Sequence, residues 1–156
     1  MTAEIVKIAD AVTLELAAGT FSQSFEPVRS CSGPMALEDS NTLHIDVVHD
    51  LVELDTATRN SMSFDCRVQI WIRKRFGPES SDEATGEIEI AEIDAMYALE
   101  QEIAAFFGLR RLAAYESAVF RAATIPVPLI PEHIDKLRQF TGAIHVTYQT
   151  AVAKES

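Results

Sequence analysis

The chain predicts an α+β fold: one mixed, mostly antiparallel sheet of about five strands with two main helices packed on one face, in the order α-β-β-β-α-β-β. Three observations lead there. Two segments, Phe64–Arg73 and Phe140–Gln149, alternate between two sets of side chains as a pleated strand requires. Two others repeat apolar residues at helical spacing. No internal repeat or shift in composition divides the 156 residues, so residues 1–156 are read as a single domain with a single core.

Residues 3–18 place Ile5, Ile8, Ala9, Val12 and Leu16 on one stripe, with Glu4, Lys7, Asp10 and Thr13 between them, and Gly19 is a stop signal. The polar side of this helix is acidic apart from Lys7, which suits a protein core on its other side rather than a lipid surface. Phe21 to Arg29 suggests a short first strand. Ser30-Cys31-Ser32-Gly33-Pro34 then breaks regular structure, and Glu38-Asp39-Ser40-Asn41 makes a polar turn. Leu43-His44-Ile45-Asp46-Val47 alternates as a second strand, whereas the mixed, polar residues 50–61 read as a connection.

The third strand is the most regular. Phe64, Cys66, Val68, Ile70 and Ile72 alternate with Asp65, Arg67, Gln69, Trp71 and Arg73, placing Trp71 on the polar side. Gly77 to Glu89 is an acidic loop with Gly, Pro and Ser and little apolar area to bury, hence an expected mobile segment. A second helix carries Ile93, Met96, Tyr97, Glu100, Ile103, Ala104 and Phe107 on one face, with only Glu100 interrupting it, and Gly108 ends it. Glu87, Glu89, Glu92 and Asp94 crowd its start, where the helix dipole favours acids. Residues 117–125 suggest a strand, with Pro126, Pro128 and Pro131 barring its continuation. Glu132–Arg138 suits a helical turn, and a last strand sets Phe140, Gly142, Ile144, Val146 and Tyr148 against Thr141, Ala143, His145, Thr147 and Gln149.

Thirteen basic against 24 acidic side chains give a net charge of −11, which repels phosphate backbones and anionic lipid. No stretch is apolar enough to span a bilayer, and the start Met1-Thr2-Ala3-Glu4 lacks a basic run before an apolar core, so a cytoplasmic product is expected. Cys31 and Cys66 lack metal-ligand spacing and read most simply as reduced. His44, His49, His133 and His145 come with no nucleophile elbow or oxyanion loop. His44 and Asp46 share a strand face but lack a third metal ligand, Glu38 and Asp39 are adjacent acids in a turn, and no phosphate-binding glycine loop is present. The expectation is a protein without catalytic residues, cofactor or metal.

Arg67, Arg73, Lys74 and Arg75 are the one basic concentration, and two of them share a strand face with Trp71. A nucleic-acid stripe is opposed by the overall acidity; an interface is favoured, because Trp and Arg are enriched at binding hot spots. The simpler alternative is an exposed Trp shielded by Arg stems. The expected interface residues are therefore Trp71, Arg73 and Arg75, together with Glu79, Asp82, Glu83 and Glu87 of the acidic loop.

The segment Pro128-Leu129-Ile130-Pro131-Glu132-His133-Ile134-Asp135-Lys136-Leu137-Arg138-Gln139-Phe140-Thr141, followed by the alternating Ala143 to Tyr148, resembles the closing motif of the tail terminator (tail completion) proteins of long-tailed phages. The amphipathic first helix, Phe25-Glu26-Pro27, Leu37-Glu38-Asp39 before Leu43–Val48, Arg59, and a strand from Asp65 to Lys74 ending in basic residues fall in that family's order. The resemblance implies a structural virion protein that forms a homo-oligomeric ring, commonly of six subunits, at the head-proximal end of the tail tube. Its partners would be the tail tube protein and a head-tail connector or stopper; it would end tube growth and let DNA pass through its channel without binding it. The rival readings are another phage neck component, such as a connector or stopper, and, from a different class, a small-ligand-binding α+β domain.

Overall fold

A computed structural model describes residues 1–32 and 36–154, so Gly33 and Pro34 of the expected break lie outside the described residues. The elements are α1 (Glu4–Ala18), β1 (Pro27–Ser30), β2 (Leu43–Thr58), β3 (Ser61–Arg75), a 3-10 turn (Pro78–Ser80), α2 (Ile90–Phe107), β4 (Val119–Val127), α3 (Pro131–Leu137) and β5 (Gln139–Ala153). The strands form one sheet in the order β1-β2-β3-β5-β4, parallel only between β1 and β2. This is the mixed, mostly antiparallel α+β arrangement expected, with β3 at its centre.

Burial explains why the sheet has this register. Cys66, Val68, Ile70 and Ile72 of β3 lie opposite Tyr148, Val146, Ile144 and Gly142 of β5, and Ile45 and Val47 of β2 complete the same face. Against it pack Ile8, Ala9, Ala11, Val12 and Leu16 of α1 and Met96, Leu99, Ile103 and Phe107 of α2, all within one buried cluster. A one-residue slip of any central strand would turn this set to the other face. Gly142 is where α2 comes closest: a Cβ there would run into the Glu100 carboxylate and stand 2.7 Å from the Pro128 carbonyl oxygen.

Three sequence expectations are corrected. The first strand is only Pro27–Ser30, because Phe21 and Phe25 leave the sheet and stack with one another at 5.3 Å, Phe21 also meeting Phe106 edge-on at 5.0 Å. Residues 50–61 are no simple connection: β2 runs on to Thr58 and turns through Arg59-Asn60 into β3, with register shifts between His49 and Leu51 and between Thr56 and Thr58. The Gly77–Glu89 loop, expected to be mobile, is tied down by the 3-10 turn, by hydrogen bonds Asp82 N–Glu87 O (2.7 Å) and Glu89 N–Ser80 O (2.9 Å), and by Arg138, which donates to the Gly86 carbonyl (3.0 Å) and to the Ser81 hydroxyl. Gly108 ends α2 as expected but at a negative φ of −55°, and it is the following Leu109 that takes the left-handed position, at φ 58°.

Candidate functional site

Pleating sends every second residue of β3 away from the helices. That second face carries Arg67, Gln69, Trp71, Arg73 and Arg75, opposite Thr147, His145, Ala143, Thr141 and Gln139 of β5 and beside His44 and Asp46 of β2. Asp50, two residues on from Val48, which lies opposite Gln69, falls on the same face at the bulge between His49 and Leu51, and its carboxylate reaches Arg67.

The polar residues form a connected ladder. Arg67 Nε donates to Asp50 Oδ2 at 2.5 Å, Gln69 Nε2 donates to Asp50 Oδ1 at 3.1 Å, and Trp71 Nε1 donates to Gln69 Oε1 at 2.8 Å. Arg73 donates to Asp46 Oδ2, also at 2.5 Å, with both side chains less than a fifth exposed. The indole of the half-buried Trp71 is thereby held in one orientation, which would lower the ordering cost of any contact made through it. His145 stands across from Gln69. Burial lowers its pKa, overcoming the opposing pull of Asp50 with a smaller push from Arg67, so the ring is neutral at neutral pH.

At one end the face is closed over. Arg75 donates to the Leu37 carbonyl at 3.0 Å, the Leu37 amide donates to Gln139 Oε1 at 2.8 Å, and His133 of α3 is hydrogen-bonded to the Thr141 hydroxyl at 2.7 Å. Here Gln139 and Thr141 are wholly buried. What remains accessible is a patch around Trp71, Gln69, His145 and the two Asp–Arg pairs.

The structure therefore brings Trp71 and Arg73 together on this patch and assigns Arg75 to anchoring the 36–42 segment. Glu79, Asp82, Glu83 and Glu87 are exposed on the loop beyond the end of β3, past Arg75. Two of the four cations in the apparent basic cluster, Arg67 and Arg73, are paired with Asp50 and Asp46, which no local motif announces: finding them required the β2–β3 register. His44 is hydrogen-bonded to Asp39 at 3.0 Å rather than sharing a ligand site with Asp46. Among the described residues no three His, Cys, Asp or Glu side chains converge as a metal site would need. Cys31 is exposed and Cys66 buried, and both are free thiols.

A balanced, pre-ordered ladder around an indole is suited to contact a flat protein surface, since paired charges have lost much of their reach for phosphate or small ions. No protein-family model and no curated protein sequence matches the chain.

Proposed function

We propose that this chain is a structural ring component of a long-tailed phage, a tail terminator that assembles with copies of itself at the head-proximal end of the tail tube. There it stops tube polymerisation and offers a joining surface to the neck, acting by binding and not by catalysis. The order of sequence motifs described above supports this reading. The observation that carries it is the accessible sheet face, where Trp71 is fixed by Gln69 and flanked by the Asp46–Arg73 and Asp50–Arg67 pairs. Such a face has the aromatic centre and polar surround of a protein contact. The net charge of −11 per subunit gives an assembled channel little affinity for the DNA that would pass through it.

The test is tube growth. Purified protein added to polymerising tail tube protein from the same genome should cap it, giving tubes of limited length with a ring at one end in electron micrographs. Trp71→Ala should fold, since the indole lies outside the core cluster, yet cap poorly. Tubes that elongate equally with and without the wild-type protein would refute the proposal.

A further inference from the structure

The sheet is longer than the helices that cover it. On the helix-facing side, Val52, Leu54 and Thr56 of β2 lie opposite Cys66, Phe64 and Met62 of β3, and Met62 in turn lies opposite Val152 of β5. The cover ends near Glu4, the first residue of α1, which accepts a hydrogen bond from Thr150 at 3.0 Å. Beyond it the three strands project as an overhang of roughly 13 Å, at about 3.3 Å per residue. Phe64 still packs against the edge of the core, and beyond it the same face continues outward: Leu54 is 54% exposed, and Met62 and Val152 are partly exposed. The opposite side is acidic. Glu53 lies directly across from Asp65 with Asp55 two residues on, a like-charge pairing unfavourable within one chain, and none of the three makes an ion pair among the described residues.

A complementary surface lies on the body. Between α1 and the segment after α2 is a shallow cleft of about 310 Å³ lined by Ala11, Leu14, Ala114 and Tyr115 together with Lys7 and Asp10. Leu14 is 59% exposed there. The neighbouring Leu109 is 91% exposed and holds the left-handed backbone conformation at φ 58°, a strained choice for a leucine that leaves it standing off the surface. Arg110 and Arg111 follow it, Arg110 engaged by Glu15 and Arg111 without an ion pair among the described residues. On this surface Lys7, Asp10 and Arg110 are paired with Glu4, Arg29 and Glu15, which leaves Arg111 as a charge to be met; the overhang is apolar, with Glu53, Asp55 and Asp65 on its flank and Arg59 and Lys154 at its tip.

We infer that the β2–β3–β5 overhang of one copy docks into the cleft between α1 and the Leu109 segment of the next, Leu54 entering beside Leu14 while Glu53 and Asp55 meet Arg111. The contact joins two different patches of the same chain, so it is heterologous and propagates from subunit to subunit, as a ring requires. The inference rests on the ring reading and names the surfaces that would build it.

The test uses full-length protein with Cys31→Ser as background. Leu54→Cys and Leu14→Cys are prepared separately and treated with a short bismaleimide. Covalent dimers should appear when the two are mixed and not with either alone. Leu54→Glu should raise the concentration at which the protein assembles by at least about tenfold while Leu54→Met does not. Glu53→Arg with Asp55→Arg should impair assembly, and Arg111→Glu added to the same chain should recover part of it. If the wild type assembles but Leu54→Glu assembles equally well and no cross-link forms, the docking mode is wrong and the ring reading stands. If the wild type stays monomeric at high concentration, both fail.

Discussion

Glu100 has the least comfortable position of any acid among the described residues. It is 1% exposed, its Oε1 has no hydrogen-bond partner among the described residues, and burial alone pushes its pKa up to about 8. The folded state therefore holds a proton that the unfolded chain releases near pH 4.5. Its stabilising protonated form is fully present below that pH, and stability is lost as pH rises from there through about 8. At about 1.4 kcal/mol per pH unit, the cost is on the order of 3 kcal/mol at pH 7. Glu100→Leu should accordingly raise the melting temperature at pH 8, flatten its pH dependence, and give little gain near pH 4; an equal gain at all pH values would contradict this assignment. The same burial logic applies to Cys66, whose thiol is pushed up to about 11. A thiol reagent should titrate one group, Cys31, in native protein and two after denaturation. Two rapidly reacting thiols in the native state would show that the sheet face over Cys66 is open.

Glu15 shows how single side chains join elements. Its carboxylate receives Arg110 Nε at 2.8 Å and the Ala113 amide at 2.6 Å, pinning the end of α1 to the segment that follows α2. Burial raises its pKa, but the bonds from Arg110 and Ala113 win and hold it below the usual carboxylate range. The sign is opposite to that of Glu100: this contribution is present at neutral pH and lost under acid. Glu15→Ala should destabilise by about 1–3 kcal/mol in denaturant unfolding at pH 7, less at pH 3; a value near zero at pH 7 would mean the link bears no energy. Elements such as this were unequally legible. β3 and β5 could be read because each has one buried face, which stamps a period of two on the sequence. The far half of β2 could not, since every residue of Glu53–Thr58 is exposed and no burial pattern marks them as strand. Phe21 and Phe25 misled for the converse reason: apolar residues packed in a loop imitate a strand. At the accessible face, Trp71 and Arg73 were visible in the alternation, while Asp50 and His145 join them only through pairings between segments distant in the chain.

At the scale of the whole molecule, a compact body buries one sheet face under two helices and leaves two surfaces incompletely covered: the ladder around Trp71 and the strand overhang. A chain this acidic should not retard duplex DNA in a gel even at low salt, where any electrostatic affinity would be greatest. A clear shift there would contradict a passive channel and return attention to the arginines of β3. The central claim is self-assembly, and native mass spectrometry of the purified full chain across a concentration series addresses it most directly. The expected result is a closed oligomer with one dominant subunit number, six by the family resemblance, reached without a distribution of ever-longer species. A monomer persisting to the highest concentrations would contradict the account.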